Sequence, residues 1–302
     1  MRAAVFDRYG PPEVLRIADL PDPEPGPGQV LVRVRAAGVQ PFDVAVRQGW
    51  IKRGPAHFPH QVGQEYSGVV ELLGEGVTGL AVGDPVLGST MMAGQATHVV
   101  VPASDVVAKP PELDFPTAAA LVAAAQTASG SLLDLGVTAG DVLLVHAAAG
   151  SVGTVAVQLA RLAGATVIGT ASPANHDYLR RLGALPVAYG DGVVEAVRAV
   201  AGGPVTVALD AAGRGAVAAS VELGVPRDRI GTIVDDKAAA EFGTRVVRLG
   251  RSPARLAEVV ALAARGMVTM PVRSYPLAEA AEAHAVVEAG HGRGKVVLIV
   301  EP

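Results

Sequence analysis

The sequence predicts a two-domain α/β protein in which a doubly wound parallel sheet interrupts a distorted antiparallel β barrel. Three observations carry that prediction. A buried-strand pattern at 142–146 runs through small residues and glycines directly into a helix. Near Pro116 the chain changes from short, turn-bounded strands to alternating strand and helix patterns. A final strand pattern, KVVLIV at 295–300, follows two more helices and marks the middle domain as an insertion into the first. A length of 302 residues suits two domains.

The elements follow in order. VLVRVR (30–35) places Val30, Val32 and Val34 on one strand face and Arg33 and Arg35 on the other. Apolar runs at 67–73, 84–88 and 97–101, bounded by Gly, Pro or Asp, read as further strands. Residues 117–135 are rich in Ala and Leu without proline, which predicts a helix. VLLVH (142–146), ATVIGT (165–170), LPVAY (185–189), VTVALD (205–210) and RIGTIV (229–234) are apolar enough for parallel strands covered on both faces. The helix after the first of these carries a stripe of Val152, Val155, Ala156, Leu159, Leu162 and Ala163, with Thr154, Gln158 and Arg161 off it. Helices at 254–265 and 277–289 precede the last strand. The expected domains are 1–118 with 250–302, and 119–249.

Composition narrows the classes. Half the residues are hydrophobic and 18% are charged, which supports a large core and argues against disorder. No cysteine is present, so disulfides, thiolate nucleophiles and Cys-ligated zinc are excluded. MRAAVFDRYG lacks the apolar core of a signal peptide, and no apolar run reaches the roughly 18–20 residues of a membrane span. A cytoplasmic protein without membrane or nucleic-acid partners is expected, the net charge of −4 offering nucleic acid no general attraction.

The central motif is Ala148-x-Gly150-x-x-Gly153 between strand and helix. Small residues let the chain turn sharply, the backbone approach a pyrophosphate, and the helix pack closely on its strand. Ser151, Val152 and Gly153 then present helix N-terminal N–H groups to phosphate. The alternative is a tight turn with no ligand. At the end of the second strand an NAD site usually carries an acid for the ribose 2′-hydroxyl. Here Thr170, Ser172, Asn175 and His176 follow with no carboxylate before Asp177, which leaves room for a 2′-phosphate and favours NADPH. The alternative is that these residues merely cap the next helix.

Several segments in order resemble the medium-chain dehydrogenase/reductase superfamily, specifically its zinc-free quinone oxidoreductase branch. They are AAGVQPFDVAVRQG (36–49), VGQEYSGVVELLGEGVTGLAVGDPV (62–86), AAAGSVGTVAVQLA (147–160) and LAEAAEAHAVVEAGHGRGKVVLIV (277–300). The resemblance implies a GroES-like barrel for substrate, an inserted Rossmann domain for NADPH, and often a homodimer paired through an edge strand, for which 245–249 is the candidate. It implies reduction of a quinone or α,β-unsaturated carbonyl compound. Alternatives are a pathway-specific enoyl reductase on a polyketide-like thioester and a catalytically silent, NADPH-binding relative. Zinc-using members place ligands where this chain has Gln40 or Pro41 and Gln64. Without a Lewis acid, a conjugated substrate and a hydrogen-bond donor near its oxygen fit best.

By the same resemblance, Gln40 stands where the branch carries a cleft-facing Asn, and its amide is the candidate donor. Its alternative is a loop residue bonded to backbone. Asp43 reads as structural. The branch's usual Tyr is absent at Ala45 and Val46, which leaves Tyr66 as the nearest phenol, with ordinary packing as its alternative. Trp50, Phe58, Met91 and Met92 are candidates for an apolar substrate wall, while His57 and His60 read as surface loop residues. Tyr189 resembles the residue that reaches the 2′-phosphate, whereas the basic residue of many relatives is missing near Ala174. Thr127, Ala211, Ile233 and Val234 complete the expected cofactor contacts. Lys295 reads as structural.

Overall fold

The segment 30–35 is the middle of a long strand, Gln29–Val39, that organises the first unit of the chain. Val30, Val32 and Val34 are buried as the alternation requires, and Arg33 turns the other way, with its Nε 3.4 Å from Glu71. In this computed structural model, which describes residues 1–52, 58–290 and 292–301, the strand pairs antiparallel with Glu65–Leu73, His98–Pro102 and Lys295–Ile299. Register shifts at Leu31/Val32 and Val34/Ala36 interrupt the ladder. Such bulges bend a strand and let a sheet curve. Pro85–Ser89 and Val106–Ala108 extend one side of the sheet, and Val272–Pro276 extends the other, parallel to Lys295–Ile299. A smaller sheet joins Leu15–Asp19, Arg2–Phe6 and His60–Gln61. Phe6, Val32, Val70, Val86, Val101 and Leu298 share one apolar core.

The first compact unit comprises residues 1–123, 252–266 and 270–302; the second comprises 124–251 and 267–269. The second is built on a parallel sheet of β1 (Val142–His146), β2 (Thr166–Ala171), β3 (Leu185–Ala188), β4 (Val207–Asp210), β5 (Ile230–Thr232) and β6 (Arg245–Val246). The order is β3-β2-β1-β4-β5-β6. This is the doubly wound order of dinucleotide-binding sheets, in which the chain reverses direction at the first strand. Leu143, Leu144, Val145, Ile168, Leu209 and Ile230 are fully buried, as strands covered on both faces must be. The run 245–249 contributes only its first two residues to the edge strand, which pairs with β5.

Two expectations fail here. The stripe expected on the helix Ser151–Leu162 is not its buried face: Leu162 is exposed, while Thr154, Val157, Gln158 and Ala160 are buried. Burying Thr154 and Gln158 costs little because both are bonded, Thr154 Oγ1 to the Tyr178 hydroxyl at 3.0 Å and Gln158 to the Thr269 backbone at 2.9 Å. A stripe drawn from apolar residues alone cannot include such positions. The other failure is His60, which lies in a strand with its ring stacked on Phe6 at 5.2 Å rather than in a surface loop. His57 lies outside the described residues.

Candidate functional site

The turn after β1 is built from the exchange of bulk for close approach. A Cβ on Gly153 would lie 2.4 Å from the Ala147 carbonyl oxygen and 2.6 Å from the Ala148 Cα, so only glycine lets the helix sit this close to the strand end. A Cβ on Gly169 of β2 would lie 2.7 Å from the Ala148 Cβ, which is why β2 also needs glycine there. Ala147 takes φ +57, a left-handed conformation unusual for a residue with a side chain. The turn is held from β2: Ala147 N donates to Thr170 Oγ1 at 3.2 Å and Ala148 N to Thr170 O at 2.9 Å. Thr170 is buried, and its hydroxyl shapes the turn.

Gly150 is the N-cap of the following helix and makes no side-chain cap bond. The first N–H groups of a helix have no intrahelical partner. Those of Ser151, Val152 and Gly153 therefore need an acceptor from outside the helix. A turn that a Cβ would fill, ending at an uncapped helix start, fits a dinucleotide pyrophosphate.

The other strand ends are equally ordered. Asn175 Nδ2 donates to Ser172 Oγ at 3.2 Å, so the two polar residues after β2 form one unit, and the Asn175 side chain does not cap the helix it begins. His176 follows, with its Nε2 buried and unpartnered among the described residues. Tyr189, just past β3, is 53% exposed. Asp210 at the end of β4 accepts from Ala212 N and Gly213 N, both at 2.8 Å, and from Thr232 Oγ1 at 2.7 Å. Thr232 Oγ1 in turn accepts from Val234 N and Asp235 N at 3.1 and 3.0 Å. Asp210 and Thr232 thus fix the backbone around Ala211, Ile233 and Val234. Ile233 is half-buried and Val234 exposed. Thr127 is half-buried on the helix Phe115–Asp134.

In the first unit, Gln40 is the N-cap of the helix Pro41–Arg47. Its Nε2 is buried with no partner among the described residues, and its backbone N–H donates to Asp43 Oδ2 at 2.9 Å. Asp43 is fully buried and also accepts from Gly63 N at 3.3 Å. Burial pushes its carboxyl up to about 7, against those two bonds and the attraction of Lys295. Gln95 Nε2 lies 3.5 Å from Asp43 Oδ2 and donates to Gly38 O at 3.3 Å, while Gln95 Oε1 is 3.0 Å from His284 Nε2. That pattern makes His284 the donor. Burial and the Arg47 charge hold His284 down at about 3, so it is neutral. Beside this chain, Lys295 pairs with Glu65, both buried, and Glu65 also accepts from Ala123 N at 2.7 Å. Sequence reasoning missed Gln95, His284 and the bond from Gly63 N to Asp43. Only the three-residue spacing from Gln40 to Asp43, that of a capping box, signalled any of it.

The remaining candidates scatter. Tyr66 is corrected: it is fully buried in the barrel core, where a Cβ on Gly88 would lie 2.6 Å from its hydroxyl. Burial and the Asp105 charge push its phenol well above the ordinary value, which suits packing and not proton donation. Met92 also belongs to that core, at φ +60, so it is no exposed wall, whereas its neighbour Met91 is exposed. Trp50 is 72% exposed, which removes core packing as its explanation. Phe58 packs edge-on against Phe6 and Tyr9, at 5.9 and 5.6 Å between ring centres, and keeps part of its face in solvent.

Comparison with known proteins places this architecture. Residues 26–111 match the alcohol dehydrogenase GroES-like domain, and residues 182–298 match the zinc-binding dehydrogenase family. The quinone oxidoreductase of Coxiella burnetii is 31% identical, with a TM-score of 0.89 over 100% of this chain and 99% of that one. The chain belongs to the medium-chain dehydrogenase/reductase superfamily, in its zinc-free quinone oxidoreductase branch. The quinone oxidoreductase of Escherichia coli, solved in complex with NADPH, is 25% identical with a TM-score of 0.87 over 99% of this chain and 100% of that one. The spectinabilin polyketide synthase system protein NorB of Streptomyces orinoci is 38% identical over 296 residues, 91% of this chain. The chain spans 13% of the length of that relative.

Within this superfamily the positions of Gln40, Pro41 and Gln64 acquire meaning. Two carboxamides and a proline ring replace the thiolate and imidazole donors that zinc prefers. The donor set at these positions does not fit the metal of the zinc-using members. What it offers instead is an amide N–H from Gln40.

Proposed function

We propose that the chain is an NADPH-dependent reductase of carbon–carbon double bonds conjugated to a carbonyl, in quinones or α,β-unsaturated carbonyl compounds, working without zinc. The observation that carries the reading is the buried, unpartnered Nε2 of Gln40. A native protein rarely leaves such a donor unmet, because each costs about 1–3 kcal/mol. A substrate oxygen is the acceptor that relieves it.

Bound nicotinamide supplies hydride to the β-carbon of such a substrate. The Gln40 amide donates to the carbonyl oxygen and stabilises the negative charge that conjugation delivers there. The uncapped helix start at Ser151–Gly153 holds the pyrophosphate, and the Asp210–Thr232 pair keeps the strand-end loops in place for ribose and nicotinamide. Ser172, Asn175 and His176 present hydroxyl, amide and imidazole groups, with no carboxylate before Asp177 to repel a 2′-phosphate. Tyr189 flanks the same group.

A second reading within this chemistry is reduction of an enoyl thioester, favoured by the match to a polyketide synthase system protein over 91% of the chain. One experiment tests both readings: purified protein, NADPH, and a panel containing a benzoquinone, a simple enone and an enoyl thioester of N-acetylcysteamine. Oxidation of NADPH with quinone and enone is expected from the first reading, and with the thioester alone from the second. Absence of NADPH binding at micromolar concentration refutes both.

A further inference from the structure

The groups around Asp43 assign it more than a structural role. Its three polar neighbours, Gln40 N, Gly63 N and Gln95 Nε2, are all donors, at 2.9, 3.3 and 3.5 Å. A carboxylate satisfies such a ring; a protonated acid, which must itself donate, has no acceptor among these neighbours. The Gln95 amide cannot turn over to help, since its Oε1 is held by His284 Nε2 at 3.0 Å and its Nε2 by Gly38 O at 3.3 Å. Asp43 also ties together the segments carrying Gln40 and Gly63, which flank the two positions where zinc-using relatives keep ligands.

We propose that Asp43 is the positioning residue for the Gln40 amide: its carboxylate fixes the Gln40 backbone, and gain of a proton there releases that backbone and misaligns the amide. The proposal rests on the reading of Gln40 as the donor to the substrate oxygen. The charged groups acting on Asp43 are Lys295 and Glu65, paired with each other; His284 lies beyond Gln95, with the Arg47 charge acting on it. Burial and the Glu65 charge raise the Asp43 carboxyl, the Gln40 and Gly63 bonds and the Lys295 charge lower it, and the balance lies at about 7.

The test uses the whole chain with glutamine labelled by nitrogen-15, the Gln40 side-chain resonance being assigned by its loss in Gln40→Leu. In wild type that resonance moves with pH, with a midpoint near neutrality; in Asp43→Asn the transition disappears. Turnover of a conjugated carbonyl, where the panel yields one, falls with acid in wild type. In Asp43→Asn it stays at the acid level of wild type at every pH, about 10- to 100-fold below wild type above neutrality, the scale expected for a donor displaced by about 1 Å, with KM changed less than about threefold. A resonance indifferent to pH in wild type, a transition that survives Asp43→Asn, or turnover of Asp43→Asn within about twofold of wild type above neutrality overturns the proposal. If Asp43→Asn does not fold, Gln95→Leu removes one donor and moves the wild-type midpoint to higher pH; an unmoved midpoint overturns the proposal equally. The resonance reports positioning without catalysis, so its outcome stays separate from that of the substrate panel.

Discussion

The two glycines of the nucleotide turn are predicted to fail in different ways. Gly153→Ala places a methyl 2.4 Å from the Ala147 oxygen and 2.6 Å from the Ala148 Cα. Normal contact needs about 3.5 Å, so the helix must retreat by about 1 Å. The turn cannot yield instead, being pinned to Thr170 by bonds of 3.2 and 2.9 Å. Overpacking costs about 1–3 kcal/mol, and backbone on both sides puts this case at the upper end. A loss of about 3 kcal/mol lowers the melting temperature by roughly 6–12 °C. Gly150→Ala differs: φ is −71, and the nearest atom, the Ala147 oxygen, lies 3.4 Å away. Its loss as an N-cap residue is offset by a less flexible unfolded chain, leaving the change within about 1 kcal/mol. The new methyl nevertheless stands where backbone must approach the pyrophosphate, so NADPH affinity falls about tenfold or more. Calorimetric melting and titration with NADPH separate the two. A Gly150→Ala protein that binds NADPH like wild type removes the cofactor from this turn, and a Gly153→Ala protein that melts like wild type refutes the packing argument.

Two further outcomes follow. Ala147→Gly relieves a left-handed alanine that costs about 1–2 kcal/mol and gives back about 0.4–1 kcal/mol in the unfolded state; urea unfolding is expected to show a gain of about 0.5–1 kcal/mol, and a loss contradicts the assigned strain. Burial holds His146 down at about 4 and His284 at about 3, so the stability they contribute as neutral rings is complete above 6.5 and is lost as pH falls toward those values, whereas the contribution of Asp43, raised to about 7, is present below 3.8 and lost as pH rises through 7. Between about pH 4 and 6.5 these groups leave the unfolded chain about one proton richer, so stability rises by about 1.4 kcal/mol per pH unit; His284→Gln, which keeps a donor for Gln95, flattens that slope, and an unchanged slope refutes the assignment.

Most of the fold is legible because most of it is local. The five apolar runs of the second unit become β1 to β5, since a strand buried on both faces needs no partner to be recognised. Arg2–Phe6 and Val272–Pro276 were not legible. The first is short, and the second carries Arg, Ser and Pro; each becomes a strand by pairing, Arg2–Phe6 with Leu15–Asp19 and the distant His60–Gln61, and Val272–Pro276 with Lys295–Ile299. The misread helix face has the same origin. Thr154 and Gln158 are buried because Tyr178 and Thr269 meet them, and those partners lie 24 and 111 residues away.

The candidate site divides along the same line. The glycine turn is legible because glycine is demanded by backbone alone: Ala148, Gly150 and Gly153 act through what they lack. The donor was legible only as a position. Gln40 was marked by resemblance, but the reason its amide has work to do is a buried atom without a partner, and burial is tertiary. Tyr66 was the natural rival on sequence; its hydroxyl is also buried without a partner among the described residues, but it is sealed in the apolar barrel core, a placement that no local pattern encodes. The determinants that aim Gln40 come from four separated stretches: Asp43, Gly63, Gln95 and His284. A metal would organise such a site by its own coordination geometry; here hydrogen bonds between distant segments must do so, and they hold only while Asp43 keeps its charge. Loss of zinc in this branch thus exchanges a requirement readable as cysteines and histidines for one readable only in three dimensions.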